Sequence, residues 1–548
     1  MIFKSPYPDL DIPETNVLQY VFPPGEQPSD EAIWIDASNP QKSLSPRQAL
    51  PWIHRIGNLL DIMHVGVGEA VMILSPNHIF VPVAYLGIVG AGRVFSGANP
   101  IYTPTEIEYQ IRNTGTRLIL AHPSLLDKAI DAGRQAGLGP SSIVQFSDIA
   151  LEPLRGIQDW RFMTEGLDHR QYDPMGAESK TILATVNYSS GTTGLPKGVA
   201  VSHYNIVANA DQTIFMRKQG YKSPPQGTER WLGFLPLYHA YGQLYMCVMA
   251  PKMQIPVYIM HSFHYETFLW SIEKYRITHL QTAPPILVML EKRPETAKYD
   301  LSSLKGILCG AAPLSRELQN VISNRFKVNI TQGWGMTEVT CGAIHVPSGA
   351  LDDTGSVGQL DPNTECKILD DNGLEVAPGE PGEMFIRGPQ VCLGYWRNVE
   401  ATRESIDSSK WLKTGDIAVV KDGWFWIVDR KKELIKVNGL QVAPAELEAV
   451  LLKNDHVADA GVVGITLAGK ELPRAYIALQ EGSKGGVSSE AIQEWMKSRV
   501  AKYKWLDGGI RFVDEVPKLA SGKIQRKTLR VWAEQDAEEM AGRPGPRL

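Results

Sequence analysis

Cysteine is scarce in this chain. Its five cysteines (Cys247, Cys309, Cys341, Cys366 and Cys392) are odd in number, scattered, and never form a C-x-x-C pair. That pattern argues against a disulfide framework and fits a reducing compartment. An excess of one charge is also lacking. The net charge of −5 gives no reason to expect a nucleic-acid partner. Long hydrophobic runs are missing too. The most apolar stretch, residues 79–91, contains Pro82, and a membrane span takes roughly 20 apolar residues. The N-terminus is polar and proline-rich, without the charged start and apolar run of a secretory signal. No internal repeat or low-complexity block is found. We therefore expect a soluble intracellular protein with no membrane insertion, whose 548 residues suffice for two or more domains.

What is present alternates between two periodicities. Ser45-Pro46-Arg47-Gln48 reads as a helix start, with a Ser cap, Pro in the first turn and Gln three residues after the cap. Leu50, Ile53, Ile56 and Leu60 follow at helical spacing. Short apolar runs at 70–74, 117–121 and 142–145 lie between turns containing Gly or Pro, an α/β alternation that implies parallel sheets. Residues 158–180 are polar and read as a surface connection. Near residue 430 the character changes. Gly423-Trp424-Phe425-Trp426-Ile427-Val428 reads as a strand interrupted by charged Asp429-Arg430-Lys431-Lys432-Glu433. Beyond it, helices are expected at 445–452 and after Ser488, and strands at 459–465 and 475–479. The fold class is thus α/β. A large N-terminal domain of several subdomains (1–430) carries mainly parallel sheets, and a small, mobile α+β C-terminal domain (431–548) follows.

One segment is built to hold phosphate: Ser189-Ser190-Gly191-Thr192-Thr193-Gly194-Leu195-Pro196-Lys197-Gly198. Its glycines let the backbone approach an anion, its hydroxyls add donors, and Lys197 brings charge. The apolar run 181–186 before it and Ser202 after it suggest a strand–loop–helix turn. The phosphate-loop NTPase template fails, because Pro196 stands where a second glycine is required.

Further strings follow in order. They are Pro236-Leu237-Tyr238-His239-Ala240-Tyr241-Gly242, Gly310-Ala311-Ala312-Pro313-Leu314, Gln332-Gly333-Trp334-Gly335-Met336-Thr337-Glu338, and Gly382-Glu383-Met384-Phe385-Ile386-Arg387-Gly388. Next come Trp411-Leu412-Lys413-Thr414-Gly415-Asp416, then Val428-Asp429-Arg430-Lys431-Lys432-Glu433-Leu434-Ile435-Lys436, and last Gly522-Lys523. Together they resemble the signature motifs of the adenylate-forming superfamily, which holds acyl- and aryl-CoA synthetases, luciferases and adenylation domains. The likeness covers most of the chain and is greatest toward 4-coumarate–CoA ligases.

The resemblance implies an ATP-dependent carboxylic acid–CoA ligase. A carboxylate reacts poorly with thiols because it is anionic and its leaving group is poor. Attack on the α-phosphate of ATP turns it into an acyl-AMP, from which AMP departs easily. Positive charge aimed at that step contributes ~3–4 kcal/mol per group. By resemblance, Lys523 bridges the carboxylate and the α-phosphate, although taken alone it reads as one solvated lysine beside Lys518, Arg526 and Lys527. ATP and AMP are expected on Ser189, Ser190, Gly191, Thr192, Thr193, Gly194 and Lys197, on Gly310, Ala311 and Ala312, and on Gln332, Gly333, Trp334, Gly335, Met336 and Thr337. Asp416 would accept the ribose hydroxyls with Arg430 supporting, Trp334 would stack on adenine in place of the usual Tyr, and Glu338 would help hold Mg²⁺. Tyr238, His239, Tyr241, Gly310, Gly333 and Met336 are the expected acyl-pocket walls, His239 also being a catalytic candidate. Lys436, a catalytic candidate too, would meet CoA with Gly439 and Gln441 after the small domain turns about a hinge at Lys432. Val437-Asn438 replaces a Tyr-Lys pair of the plant enzymes, which puts one CoA contact in doubt.

Rival readings stay open. A stand-alone adenylation enzyme would pass the acyl group to a carrier protein or other nucleophile; Phe263 is followed by His264 where amino-acid-selecting members place Asp. An oxygenase of luciferase type would keep the same strings, whereas intact Lys523, Asp416 and Glu338 argue against a catalytically silent binding protein. The acid is aromatic or medium-chain. The terminal Pro546-Arg547-Leu548 keeps the basic-then-leucine ending of a peroxisomal address but lacks its small hydroxyl residue. Cytoplasmic and peroxisomal locations, the latter through an import receptor, therefore both remain open.

Overall fold

The computed structural model describes all residues except 174, 190–194, 220–228, 438–439, 468, 520–521 and 542–548. Two large, mainly parallel sheets dominate residues 1–400. One has seven strands and the other nine, each carrying short antiparallel strands at an edge. The strands Ala70–Leu74, Val94–Ala98 and Thr116–Ala121 pair in parallel in the first sheet. His279–Thr282, Gly306–Cys309 and Asn329–Trp334 do so in the second. In the first sheet Ala70–Leu74 and Val94–Ala98 are buried throughout, as strands covered on both faces are, whereas Gly306–Cys309 and Asn329–Trp334 in the second alternate buried and half-buried positions.

Phe80–Gly90 shows why the apolar stretch at 79–91 is a core helix. All its residues are buried, as expected of a helix apolar around its whole circumference. Pro82 sits in the first turn, where no intrahelical amide is lost. The expected helix after Ser45 is Pro46–Ile62 with a complete capping box. It packs so closely that a Cβ on Gly87 would lie 2.6 Å from Ile56.

Three expectations are corrected. The segment after Ser189 does not lead straight into a helix: Lys197–Ser202 is a strand antiparallel to Leu183–Ser189, and Ser202 then caps the helix His203–Lys218. The strands on either side of the hydroxyl-rich segment therefore pair with each other, Val199 and Val201 supplying the β-branched alternation of a strand. Residues 158–180 are not a pure surface connection. Trp160 is fully buried and meets Trp52 and Phe80 edge-on. The strand beginning at Trp424 runs on through Asp429 to Arg430, because those charges have partners. Asp429 Oδ2 accepts from the Ala445 amide at 3.1 Å, and Arg430 pairs across the strand with Asp416.

An antiparallel five-stranded sheet containing Leu412–Lys421 and Trp424–Arg430 leads into the C-terminal region. There Val457–Leu467, Lys470–Leu479 and Ile510–Phe512 form a three-stranded sheet. The helices Pro444–Leu451, Ser489–Lys497 and Arg526–Ala541 complete a small α+β unit. Half-buried Arg526 ties it together, its guanidinium 2.7 Å from Glu448. No helix among the described residues is long and apolar enough to cross a membrane.

Candidate active site

Four elements distant in sequence meet around one cavity of about 540 Å³, its open mouth included. Its walls include His239 and Tyr241, Gly310 and Ala311, residues 333–337, and Lys523.

Lys523 reaches it from a tight turn. Leu519 N–H donates to the Lys523 carbonyl and Gly522 N–H to the Leu519 carbonyl, each at 2.8 Å. Gly522 has φ +84° and lies so close to Pro285 that a Cβ would come within 3.1 Å, so glycine is required on both counts. Burial pushes the Lys523 ammonium down to about 8, and neighbouring Arg430 adds to the fall while Asp416 and Glu338 oppose it. A cation held in this way is poised for an anionic ligand.

The strand Asn329–Trp334 delivers the central string. Gly335 is obligatory, since a Cβ would fall 1.7 Å from the Cys341 carbonyl oxygen. Trp334 is buried, and its indole Nε1 donates to Asp416 Oδ2 at 2.8 Å. Asp416 Oδ1 lies 3.2 Å from Arg430 Nε but accepts no aligned hydrogen bond. Gly415 precedes it at φ +73°. Glu338, 5% exposed, accepts at Oε1 from the Tyr395 hydroxyl at 2.8 Å. Lys197 Nζ lies 4.9 Å from the centre of the Tyr395 ring. Tyr395 thus joins the stem of the hydroxyl-rich hairpin to Glu338.

His239 begins the short helix Ala240–Gly242, its Nδ1 accepting from the Tyr241 amide at 3.3 Å. Burial, then Lys523, hold its imidazole down to about 4. At neutral pH the ring is uncharged, and with Nδ1 accepting it carries its proton on Nε2.

Several expected residues are not brought to the cavity. Gln332 turns its amide to Gln319 Oε1 at 2.7 Å. Ala312 is not on the wall, and Tyr238 packs instead on Gly97, where a Cβ would lie 2.7 Å from the Tyr238 Cα. Lys436 and Gln441 face each other across a two-stranded hairpin and are exposed to solvent, as is Lys432. Ser189 pairs with Lys197 at the hairpin stem. Ser190, Gly191, Thr192, Thr193, Gly194, Gly439 and the terminal Pro546-Arg547-Leu548 lie outside the described residues.

Sequence reasoning missed Tyr395, and also Tyr245, Leu308, Cys341, Gly342 and His345, which line the cavity. Tyr245 sits one turn beyond Tyr241, a spacing that could have revealed it. His345 pairs across the sheet with Gly333, a relation that no linear spacing contains.

The sequence pattern described as AMP-binding enzyme matches residues 24–396, and that described as AMP-binding enzyme C-terminal domain matches residues 446–523. A phenylacetyl-CoA ligase of Aspergillus niger is 36% identical over 533 residues, covering 95% of this chain and 97% of that protein. A probable 4-coumarate–CoA ligase of Dictyostelium discoideum is 34% identical, covering 96% and 97%. The solved structure of the anthranilate–CoA ligase AuaEII with anthranoyl-AMP superposes with a TM-score of 0.84 at 26% identity, covering 96% of this chain and 99% of that one. ATP-bound MatB from Rhodopseudomonas palustris gives 0.84 at 23% identity, covering 95% and 99%, and speaks for the fold alone.

Proposed function

The chain belongs to the AMP-binding enzyme family, and we propose that it is an ATP-dependent acid–CoA ligase acting on an aromatic or medium-chain carboxylic acid. The observation that carries this reading is half-buried Lys523, which shares one cavity with His239 and Thr337 although they come from three separate segments of the chain.

In the first half-reaction a carboxylate oxygen of the acid attacks the α-phosphorus of ATP and pyrophosphate leaves. Lys523 would lie between the two anions and offset their repulsion, with Thr337 donating to the α-phosphate. Asp416, oriented by Trp334, would take the ribose hydroxyls. His239 would enter as a donor from Nε2, orienting the carboxylate rather than removing a proton. The phosphate-binding segment 189–197 would hold the leaving pyrophosphate.

Among the described residues no three His, Cys, Asp or Glu side chains converge on a cation site. A lone carboxylate fits Mg²⁺, which draws most of its ligands from phosphates and water. Glu338 would hold the ion, which when bound would neutralise phosphate charge.

In the second half-reaction the CoA sulfur attacks the acyl carbonyl and AMP leaves, the thiol proton passing to solvent. Lys436, Gly439 and Gln441 would serve this step once a C-terminal domain (431–548) rotates on the N-terminal domain (1–430) about Lys432. The exposure of Lys436 and Gln441 while Lys523 is inside supports such alternation.

The test is pyrophosphate release from ATP across a panel of acids, followed by AMP release on adding CoA. Pyrophosphate without any response to CoA would move the reading to a different acyl acceptor; no pyrophosphate with any acid would end it. A peroxisomal import receptor reading Pro546-Arg547-Leu548 belongs to the same proposal. A fluorescent protein bearing that tail and staying diffuse in cells would remove it.

A further inference from the structure

One buried carboxylate reaches across the line on which the small lobe is proposed to turn. Before Lys432 the chain is fixed to the five-stranded sheet. Lys431 N–H donates to the Gly415 carbonyl at 2.8 Å, and Lys431 Nζ lies 2.9 Å from Glu383 and 2.6 Å from Asp371. After Lys432 the chain is fixed to the lobe, Glu433 pairing with Arg530 of the helix Arg526–Ala541. Lys432 itself is exposed. Asp429 ends on the sheet side of this line, and the helix Pro444–Leu451 lies on the lobe side.

That helix has no cap of its own. Its N-cap residue is Ala443, whose methyl group cannot accept a hydrogen bond, and Pro444 opens the first turn. The Ala445 amide is bonded instead by Asp429 Oδ2 at 3.1 Å, from across Lys432. Asp429 is 4% exposed, and its Oδ1 accepts from the Arg430 amide at 2.7 Å. A carboxylate is favoured at a helix N-terminus by the free amides and the helix dipole. Burial pushes the Asp429 carboxyl up, and Arg526 of the lobe opposes the rise. Ile417 of the sheet packs with Leu434 and Ala443 of the lobe along the same seam. By contrast, the ion pair of Glu317 with Lys453 at 3.1 Å, also between the two parts, is exposed on both sides. Surface pairs of that kind contribute little.

We propose that Asp429 is a positioning residue for the first half-reaction: by capping the helix Pro444–Leu451 across the hinge, it holds the lobe in the arrangement that puts Lys523 in the cavity. Rotation about Lys432 would part carboxylate and amide and leave both to water. The inference rests on the ligase reading and its two arrangements, and adds a contact that biases them. Each half-reaction runs at a rate set by the share of its own arrangement. The ratio of the two rates therefore follows the equilibrium between the arrangements, whichever predominates.

The experiment measures two rates on the full chain. One is the burst of pyrophosphate from ATP with phenylacetate, cinnamate or octanoate; the other is thioester formation from CoA and the supplied acyl-AMP of the same acid. Asp429→Ala removes the acceptor, and the ratio of the first rate to the second should fall roughly fivefold, the equilibrium shift expected from one helix cap. Asp429→Asn keeps an oxygen for the Ala445 amide and should lower the ratio less. Asp429→Ala combined with Ala443→Ser separates a latch from a plain helix cap, because serine caps the helix in either arrangement. The melting temperature should then recover while the ratio stays low. A ratio restored by Ala443→Ser would overturn the proposal, as would equal losses of both rates in Asp429→Ala. If an acid is activated and the ratio does not move, only this inference falls; if none releases pyrophosphate, the ligase reading falls and takes this one with it.

Discussion

The Trp334 indole donates to Asp416 Oδ2 at 2.8 Å, joining the end of a parallel strand to a carboxylate on the neighbouring antiparallel sheet. The tryptophan expected as a flat face for adenine therefore has a second task, which is to aim the carboxylate expected at the ribose. Trp334→Phe keeps a flat ring and removes the donor. A hydrogen bond to a charged group contributes ~1.5–3 kcal/mol, so KM for ATP should rise roughly tenfold or more while KM for the acid changes little. An equal rise in both would count against the coupling.

Lys523→Ala separates the two half-reactions. Pyrophosphate release should fall on the order of 10²–10³-fold, the usual effect of removing one group aimed at developing charge. Thioester formation from supplied acyl-AMP and CoA should fall far less. Similar losses in both would show that the lysine holds the fold rather than the transition state.

The pH dependence follows from the same residue. Lys523 is held down to about 8, and only its charged form can offset two anions. For pyrophosphate release, kcat/KM for ATP should therefore decline as pH rises through about 8, since that quantity reports the free enzyme. Bound phosphates favour the ammonium, so the limb in kcat should lie at higher pH. His239, held down to about 4, adds no limb near neutrality. The alkaline limb should be absent from residual turnover by Lys523→Ala.

Tyr395→Phe tests the Glu338 carboxylate. The phenol gives Glu338 Oε1 its hydrogen bond, and without it the carboxylate is less well placed. The Mg²⁺ concentration for half-maximal pyrophosphate release should rise several-fold, with the preference among acids unchanged. An unchanged Mg²⁺ requirement would detach Glu338 from the ion.

Gly522→Ala places a Cβ at φ +84° and 3.1 Å from Pro285. A non-glycine residue at positive φ costs about 1–2 kcal/mol, and the contact adds to it. Adenylation should slow roughly tenfold while CoA transfer from supplied acyl-AMP is spared. Slowing of both would mean that the turn matters to both arrangements.

Much of the site was readable because its parts are short strings in which neighbours in sequence act together. Residues 333–337 line the cavity as a continuous stretch because a strand ends there and the backbone itself becomes the wall. Lys523 by itself read as a solvated lysine among other cations, and only its place at the end of the series of motifs singled it out. His345 was not readable, because its place depends on pairing with Gly333 twelve residues away, and nothing in Ala343-Ile344-His345 distinguishes it from an edge strand. Tyr238 misled for the opposite reason: it neighbours His239 in sequence, but successive side chains diverge in an extended chain, and it packs on Gly97 instead. The hairpin after Ser189 was hidden because Lys197–Ser202 ends in a helix cap, so the helix signal eclipsed the strand. In the seven-stranded sheet, buried strands announced themselves through apolar runs, whereas Trp160 was hidden by polar neighbours in its own segment.

The two-stranded hairpin that displays Lys436 and Gln441 has a consequence for timing. One lobe bears both this hairpin and the turn of Lys523, so on the proposed reading it behaves like an airlock with two doors that never stand open together. A freshly made adenylate would be shielded from hydrolysis until pyrophosphate vacates and the lobe swings. Excess coenzyme would then be unable to hurry the first step, and the rate of swinging would set the pace of turnover whenever acid and nucleotide are plentiful.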